Sequence, residues 1–331
     1  MRTPRFWYPH DGRDRWQARL LAPLSQLYAR GTRRRLARHA PYTAGVPVVC
    51  IGNINAGGTG KTPTVIACLE RLAARGVRAA VVSRGYGGRA AGPVQVDPRI
   101  HDADEVGDEP LLHAAFAETW VAKDRARGVR AAEAGAPDLI LLDDGHQSPA
   151  VEKTASIIVV DGRRGFGNGR VIPAGPLREP VAEGLARADM IVVIGDDGEQ
   201  RAFEHHWGHA VTLPRARATL GPLMTGMRWE GLPVLAFAGI GYPEKFFHTL
   251  KAMGVDLKRT KALSDHQALS PALMARLTRE AAALGAQLVT TEKDAARLPG
   301  LYRQQVMTLP VRLTFNDPAP IDDLFTRVLS G

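Results

Sequence analysis

This sequence predicts an α/β protein built in two units, and three observations carry that reading. Short apolar runs of strand length alternate with amphipathic stretches of helical length, the pattern of parallel βαβ repeats. A glycine-rich turn, Gly57-Gly58-Thr59-Gly60-Lys61-Thr62, sits between the first such strand and the first such helix, as in a three-layer domain of P-loop NTPase type with a parallel sheet. A length of 331 residues suits two ordinary domains and allows a large core without disulfides or structural metal.

Taken in order, Val46–Ile51 reads as a β-branched strand and Pro63–Arg75 as a helix, with Val65, Ile66, Leu69 and Leu72 on one face and Gly76 as its stop. Val77–Ser83 is a second strand. Leu111–Ala117 and Arg125–Ala134 have helical spacing, and Leu139–Leu142, Ile157–Val160 and Met190–Ile194 are wholly apolar, as parallel strands buried on both faces should be. Over Val211–Met227 the pattern lapses into Pro, Gly and Arg, which reads as a linker. A second βα series follows: strand Val234–Ala238, helix Glu244–Met253, and helix Pro271–Leu284 with Ser270 as N-cap and Gly285 as stop. Strands Gln287–Thr291 and Val306–Leu313 and helix Ile321–Leu329 complete it. The expected organisation is a basic segment over 1–40, a P-loop domain over 41–218 and a C-terminal α/β domain over 228–331.

The formal net charge of +9 is unevenly placed. Residues 1–40 hold ten arginines against Asp11 and Asp14, so the remaining chain is close to neutral. A nucleic-acid-binding protein would spread its basicity over its binding face and carry a recognisable motif, and neither is found. Cys50 and Cys68 lie in apolar runs without ligand spacing, as small buried hydrophobes of a reducing compartment do. No run of eighteen apolar residues is present, and Met1–Arg15 lacks the apolar stretch of a signal peptide, so a cytoplasmic protein is expected.

Chemistry concentrates at the glycine-rich turn. Its backbone N–H groups, together with a helix N-terminus, suit phosphate oxygens; Lys61 reaches the β- and γ-phosphates and the Thr62 hydroxyl takes Mg²⁺. The usual first glycine is Asn55 here, and Ala56 stands where a related ATPase class carries a signature lysine. Leu139-Ile140-Leu141-Leu142-Asp143-Asp144 supplies the carboxylates expected of a metal-binding strand end. These parts bind a nucleoside triphosphate without naming the reaction. Ser83-Arg84-Gly85-Tyr86-Gly87-Gly88 is a loop that would face the same edge, Glu105–Pro110 packs three acids into a short turn, and the Gly-, Pro- and Arg-rich stretch Val160–Arg170 with Pro173–Pro180 is a long loop of functional or disordered type. Arg163, Arg164, Arg170 and Arg178 in that stretch suit either anionic groups or solvent.

Gly52-Asn53 with the Gly-Gly-Thr-Gly-Lys-Thr-Pro turn, Ser-Arg-Gly-Tyr-Gly-Gly, Val-Gly-Asp-Glu-Pro, Leu-Asp-Asp-Gly, Phe-Gly-Asn-Gly, Pro-Ala-Gly-Pro-Leu-Arg-Glu-Pro, Asp265-His266-Gln267 and Thr291-Glu292-Lys293-Asp294 follow one another between about residues 45 and 295. In this order they resemble the tetraacyldisaccharide 4′-kinase family of Gram-negative bacteria. The resemblance implies two α/β/α domains, the second smaller, with the active site in the cleft between them. It implies ATP and Mg²⁺, and phosphoryl transfer to the 4′-hydroxyl of a tetraacyl glucosamine disaccharide 1-phosphate, a lipid A precursor. It implies, too, a peripheral enzyme at the cytoplasmic face of the inner membrane.

Carried over by position, Gly57, Gly58, Thr59, Gly60, Lys61 and Thr62 are nucleotide residues, and Asp143 and Asp144 are metal acids with Gln147 near the metal. Asp108 matches the aspartate that activates the sugar hydroxyl, and His266 its partner from the second domain. Without the resemblance, Asp108 reads as a surface acid and His266 as a turn cap. Arg84, Tyr86 and Arg178 fall in loops directed at the acceptor. One departure is Gly145-His146-Gln147-Ser148, where the family usually has an aromatic residue or Leu before Gln and a histidine after it.

Trp16, Leu20, Leu24, Leu27 and Tyr28 recur at helical spacing within Trp16–Ala29, among Arg13, Arg15, Arg19 and Arg30 and followed by Arg33-Arg34-Arg35 and Arg38. That is the composition of an interfacial helix on an anionic membrane; the alternative is a helix packed on its own domain with solvated arginines. Two rival functions remain at this point: a nucleotide-switch ATPase or GTPase with no small-molecule acceptor, and a nucleic-acid module using the basic arm.

Overall fold

In the computed structural model, which describes residues 4–9, 16–37, 41–223, 225–265 and 267–331, the chain builds two sheets. The first takes β1 (Val48–Gly52), β2 (Ala79–Ser83), β3 (Val94–Gln95), β4 (Glu118–Val121), β5 (Leu139–Asp143), β6 (Ala155–Asp161), β7 (Met190–Ile194) and β8 (Arg215–Pro222). The second takes β9 (Pro233–Ala238), β10 (Asp256–Ala262), β11 (Gln287–Thr291) and β12 (Val306–Leu309), in the order β10-β9-β11-β12 and all parallel. The chain then returns: β13 (Val311–Phe315) pairs antiparallel with β8, completing a nine-stranded order β13-β8-β7-β6-β1-β5-β2-β4-β3.

Alternation along the strands sorts the first core into two faces. Val49 and Ile51 of β1 join Leu139, Leu141, Ile157 and Val192 under helix α2 (Lys61–Ala74), whereas Val48 and Cys50 join Ile140 and Leu142 on the opposite face. Helix α1 (Trp16–Leu36) packs near the 162–180 loop on that opposite side, and its buried Ala29 belongs to the cluster around Phe166 and Phe203. Short helices α3 (Ala103–Val106) and α4 (Asp108–His113) follow β3, and α5 (Arg125–Glu133), α6 (Val181–Leu185) and α7 (Asp197–Trp207) fill later connections. In the second sheet, Val234 and Ala236 face α8 (Pro243–Ala252), while Leu235 and Phe237 face α9 (Pro271–Ala283). The Ser270 side chain caps α9 by accepting from the Leu273 N–H. Helix α10 (Glu292–Ala295) follows β11, and α11 (Ala319–Ser330) closes the chain.

Three sequence expectations need correcting. The stretch read as a linker over 211–227 contains β8, whose Pro222 and arginines lie one strand in from a sheet edge. The strand expected over 306–313 is two strands in two different sheets. Pro310 lies between them and has no N–H to give either ladder. Consequently residues 311–330 belong with the first sheet rather than with the unit expected over 228–331: Ile321, Leu324, Phe325 and Val328 of α11 are buried in the first core, and Asp322 pairs with Arg71 of α2.

Candidate active site

Register aligns the chemistry. Ile51 of β1 lies opposite Asp143 of β5, so the glycine-rich turn and the acidic strand end leave the sheet at the same carboxyl edge. Asn53 organises the turn, its Nδ2 donating to Thr59 Oγ1 at 3.0 Å and to the Gly57 carbonyl at 3.3 Å. Gly60, at the mouth of α2, has φ 95°, and a Cβ there would fall 2.5 Å from Ile194 Cδ1, so only glycine fits. Asn55, the departure from the usual glycine, is buried and donates to the Gly165 carbonyl at 3.0 Å. That contact ties the phosphate turn to the 162–180 loop.

Lys61 Nζ stands 3.4 Å from Asp144 Oδ1, and Arg178 Nη1 donates to both Asp144 oxygens at 2.9 and 3.1 Å. Burial works against the Asp144 charge, but Lys61 and Arg178 overcome it and hold the carboxyl down at about 2. Asp143 behaves oppositely: burial, with the nearby Glu109 charge, pushes it up to about 7. Its Oδ2 accepts from Ser83 Oγ at 3.1 Å, while Oδ1 is buried with no hydrogen-bond partner among the described residues. Gln147 Nε2 donates to the Asn53 carbonyl at 2.7 Å and to Glu179 Oε1 at 2.9 Å, and its Oε1 faces Arg178 at 3.2 Å. It therefore braces Arg178 and the strand end.

Asp108 opens α4 immediately after Gly107, whose φ is 89° and whose close packing on the Tyr86 carbonyl admits no Cβ. The Ser83–Gly88 loop is thereby held against the Asp108 turn. Asp108 is buried, its Oδ1 accepts from the Glu109 N–H at 2.9 Å, and its Oδ2 lies 3.5 Å from Arg297 Nε of the second unit. Next to it Glu109 pairs with Lys293 of α10 at 3.0 Å. Burial would raise Glu109, yet Lys293 and Lys61 hold it low. His266 lies outside the described residues; its neighbour Gln267 is on the same side of the cleft, its carbonyl bonded to Arg297. A cavity of about 490 Å³ between the units is lined by Tyr86, Asp104, Asp108, Leu269, Arg297 and Arg303. Tyr86 is exposed there, and Arg84, two residues earlier in the same loop, is exposed as well.

Other singled-out residues are structural. His146 is buried with Nε2 2.9 Å from the Gly184 carbonyl, and burial drives its imidazole down to about 4, leaving it neutral. Only a glycine at 52 leaves room for it, since a Cβ there would approach the His146 Cβ to 2.6 Å. Burial likewise pushes the Cys50 and Cys68 thiols up, to about 11 and about 12, so both are inert. In the long loop Phe166 packs edge-on to Phe203 and Trp207, and the Asn168 N–H donates to the Trp7 carbonyl at 2.9 Å. Arg164 lies over the rings of Tyr8 and Tyr242. Arg163 lies over Tyr242 as well. Sequence reading missed Ser83, Glu109, Arg125 (whose Nη2 donates to the Asp144 carbonyl at 2.7 Å), Glu179, Lys293 and Arg297; Ser83, Glu109, Glu179 and Lys293 lay within the motifs quoted above, whereas Arg125 and Arg297 lay in none.

Fold and site together define a P-loop nucleotide-binding protein with a second α/β unit at the phosphate edge of its sheet. A family described as Tetraacyldisaccharide-1-P 4′-kinase (LpxK) matches residues 17–330. The chain is 61% identical over 330 residues, 98% of either protein, to the tetraacyldisaccharide 4′-kinase of Dinoroseobacter shibae. It is 56% identical over 329 residues, 99% of either, to that of a Jannaschia species. A crystal structure of LpxK from Aquifex aeolicus in complex with ATP shares the fold, with a TM-score of 0.76 at 24% identity over 94% of this chain and 99% of that one. The chain belongs to the tetraacyldisaccharide 4′-kinase family, and it is a kinase.

Proposed function

We propose that this kinase transfers the γ-phosphoryl group of ATP to the 4′-hydroxyl of a tetraacyl glucosamine disaccharide 1-phosphate, with Mg²⁺, at the cytoplasmic face of the bacterial inner membrane. One observation carries the catalytic part. Lys61, Asp143 and Asp144 share one sheet edge with a buried carboxylate, Asp108, at the entrance to the cavity beneath the second unit. The nucleotide-switch alternative leaves that second carboxylate and the cavity without a chemical task.

The donor set suits Mg²⁺. Among the described residues no cluster of three or more His, Cys, Asp or Glu forms a cage, and Mg²⁺ bound with phosphates asks for only one or two carboxylates. The unpartnered Oδ1 of Asp143 is the group such an ion would satisfy; Thr62 and Asp144 would complete the protein's share of its ligands, with Gln147 bracing Arg178 and the strand end. When bound, the ion supplies neutralisation of charge on the transferring phosphate. The turn from Gly57 to Gly60 cradles the phosphates, and Lys61, steered by Asp144, meets their outer oxygens. Asp108 accepts the proton of the sugar hydroxyl, with His266 as its partner, and Arg84, Tyr86 and Arg178 orient the acceptor.

Helix α1 supports the membrane assignment. Ala18, Ser25, Ala29 and Thr32 face the body, with Ser25 Oγ donating to the Val171 carbonyl at 2.6 Å. Its large apolar residues point away: Trp16 is 69% exposed, Leu20 70%, Leu24 53% and Leu27 60%. A helix that docks through its small residues and presents a Trp/Leu stripe, flanked by arginines, has the surface of an interfacial anchor. Arg13, Arg15 and Arg38 lie outside the described residues. Among the described residues no helix is long and apolar enough to cross a membrane.

The test is incubation with ATP, Mg²⁺ and the acceptor lipid in detergent, with the product read by mass. One added phosphate is expected, and none would refute the reading. Asp108→Ala should lower kcat by roughly 10²-fold or more at near-normal KM for ATP. Deleting residues 1–40 should abolish co-sedimentation with anionic vesicles; retained binding would remove the anchor.

A further inference from the structure

The second unit supplies one cation that no established role absorbs. Arg297 lies two residues past α10, four residues beyond Lys293, and its side chain is 9% exposed. Its guanidinium is gripped from three directions. Nη1 donates to the Gln267 carbonyl at 3.0 Å, Nη2 donates to the Gly239 carbonyl at 3.1 Å, and the same nitrogen pairs with Asp294. Asp294 is itself fixed: its carboxylate accepts from the Gly239 N–H at 3.1 and 3.0 Å and from Thr291 Oγ1 at 2.7 Å. With its other nitrogens so occupied, the remaining edge, Nε, faces Asp108 Oδ2 at 3.5 Å across the cleft.

We infer that Arg297 is a positioning residue for Asp108, coupling the proton-accepting carboxylate of the first unit to the docked second unit. The inference rests on the reading of Asp108 given above. Two consequences of the geometry support it. First, the guanidinium holds the backbone of Gln267, next to His266 in the chain, so one side chain sets the Asp265–Gln267 loop and touches Asp108. Second, a buried carboxylate is held in place by a fixed counter-charge beside it. Lys293 contributes to the same field, but its own ammonium is bonded to Glu109. The planar fork of an arginine can serve Gly239, Gln267, Asp294 and Asp108 together; a lysine ammonium cannot span them.

The test is a kinetic cycle on the full chain with ATP, Mg²⁺ and acceptor lipid in detergent. Arg297→Gln should lower kcat roughly 10- to 100-fold while KM for ATP stays within about twofold, and in an Asp108→Asn background it should cost less than about twofold more. Arg297→Lys should restore only a minor part of the loss. The double variant Asp294→Asn/Arg297→Gln removes Asp294 together with its partner, so it guards against unfolding caused by an unpaired Asp294, and it should lose as much kcat as Arg297→Gln alone. If Arg297→Gln keeps wild-type kcat, or its loss multiplies independently onto that of Asp108→Asn, the coupling is overturned while Asp108 keeps its role. If Asp108→Asn is itself fully active, the reading of Asp108 as the proton acceptor falls and takes the coupling with it.

Discussion

Helices α1 and α11 carry similar amphipathic patterns near opposite ends of the chain, yet turn them in opposite directions. Ile321, Leu324, Phe325 and Val328 of α11 point into the first core beside α2. Leu20, Leu24 and Leu27 of α1 point outward, and the helix docks through Ala18, Ser25 and Ala29 instead. Periodicity reveals that a helix has an apolar stripe, but not what the stripe meets. The residues opposite the stripe are more telling: small ones permit close docking by the second face, leaving the first for another partner. Helix α11 has Asp322, Thr326 and Arg327 away from its stripe, and Asp322 and Thr326 reach Arg71 and Arg75 at the edge of α2.

The sharpest challenge to this contrast is Phe325→Ala, expected to cost about 3–5 kcal/mol because a fully buried ring leaves a cavity; a denaturant melt that moves by less than 1 kcal/mol would place α11 outside the core. Protonating His113 is a milder assault on the same layer. It lies buried at the end of α4, with neither ring nitrogen hydrogen-bonded among the described residues, and burial depresses its folded pKa to about 4 from an ordinary 6.5. The unfolded chain therefore takes up the proton first. This group's contribution is complete above pH 6.5 and is lost as pH falls toward 4, about 3 kcal/mol in all. His113→Gln should flatten that part of the stability–pH curve.

On the α1 side the expected result reverses. Changing Leu20, Leu24 and Leu27 together to Gln should leave the melting temperature in place but weaken partition onto anionic vesicles by roughly 10²-fold or more. A large loss of stability would show that the stripe packs on protein after all. Smallest of all is Arg33→Ala, which removes an exposed pair with Glu183 at 2.6 Å; calorimetry should register no change in the melting temperature.

Local chemistry made the nucleotide end legible from sequence, since Gly60, Lys61, Thr62 and Asp143 owe their places to a short turn and the end of one strand. Asn55 looked like a defect because its bond to the Gly165 carbonyl spans 110 residues, a distance no motif encodes. Strand β8 went unseen because its Pro and Arg content resembles a linker, although its antiparallel partner β13 and its neighbour β7 both accept it. His146 drew attention as a departure near the strand end, yet its imidazole is a packing piece matched to Gly52. Arg297 carried no signal at all, since its partners lie on four separate segments.

The return of β13 to the first sheet has a consequence for the order of synthesis. A ribosome delivers residues up to β8, then a complete four-stranded sheet, and only afterwards the strand and helix that cover the α2 side of the first core. The nucleotide-binding half thus begins folding first and finishes last. While it waits, an apolar face that α11 will later occupy is open to chaperones, proteases and other nascent chains. Premature termination between β8 and α11 would release a protein with its phosphate turn and metal acids already made and its core still unsealed.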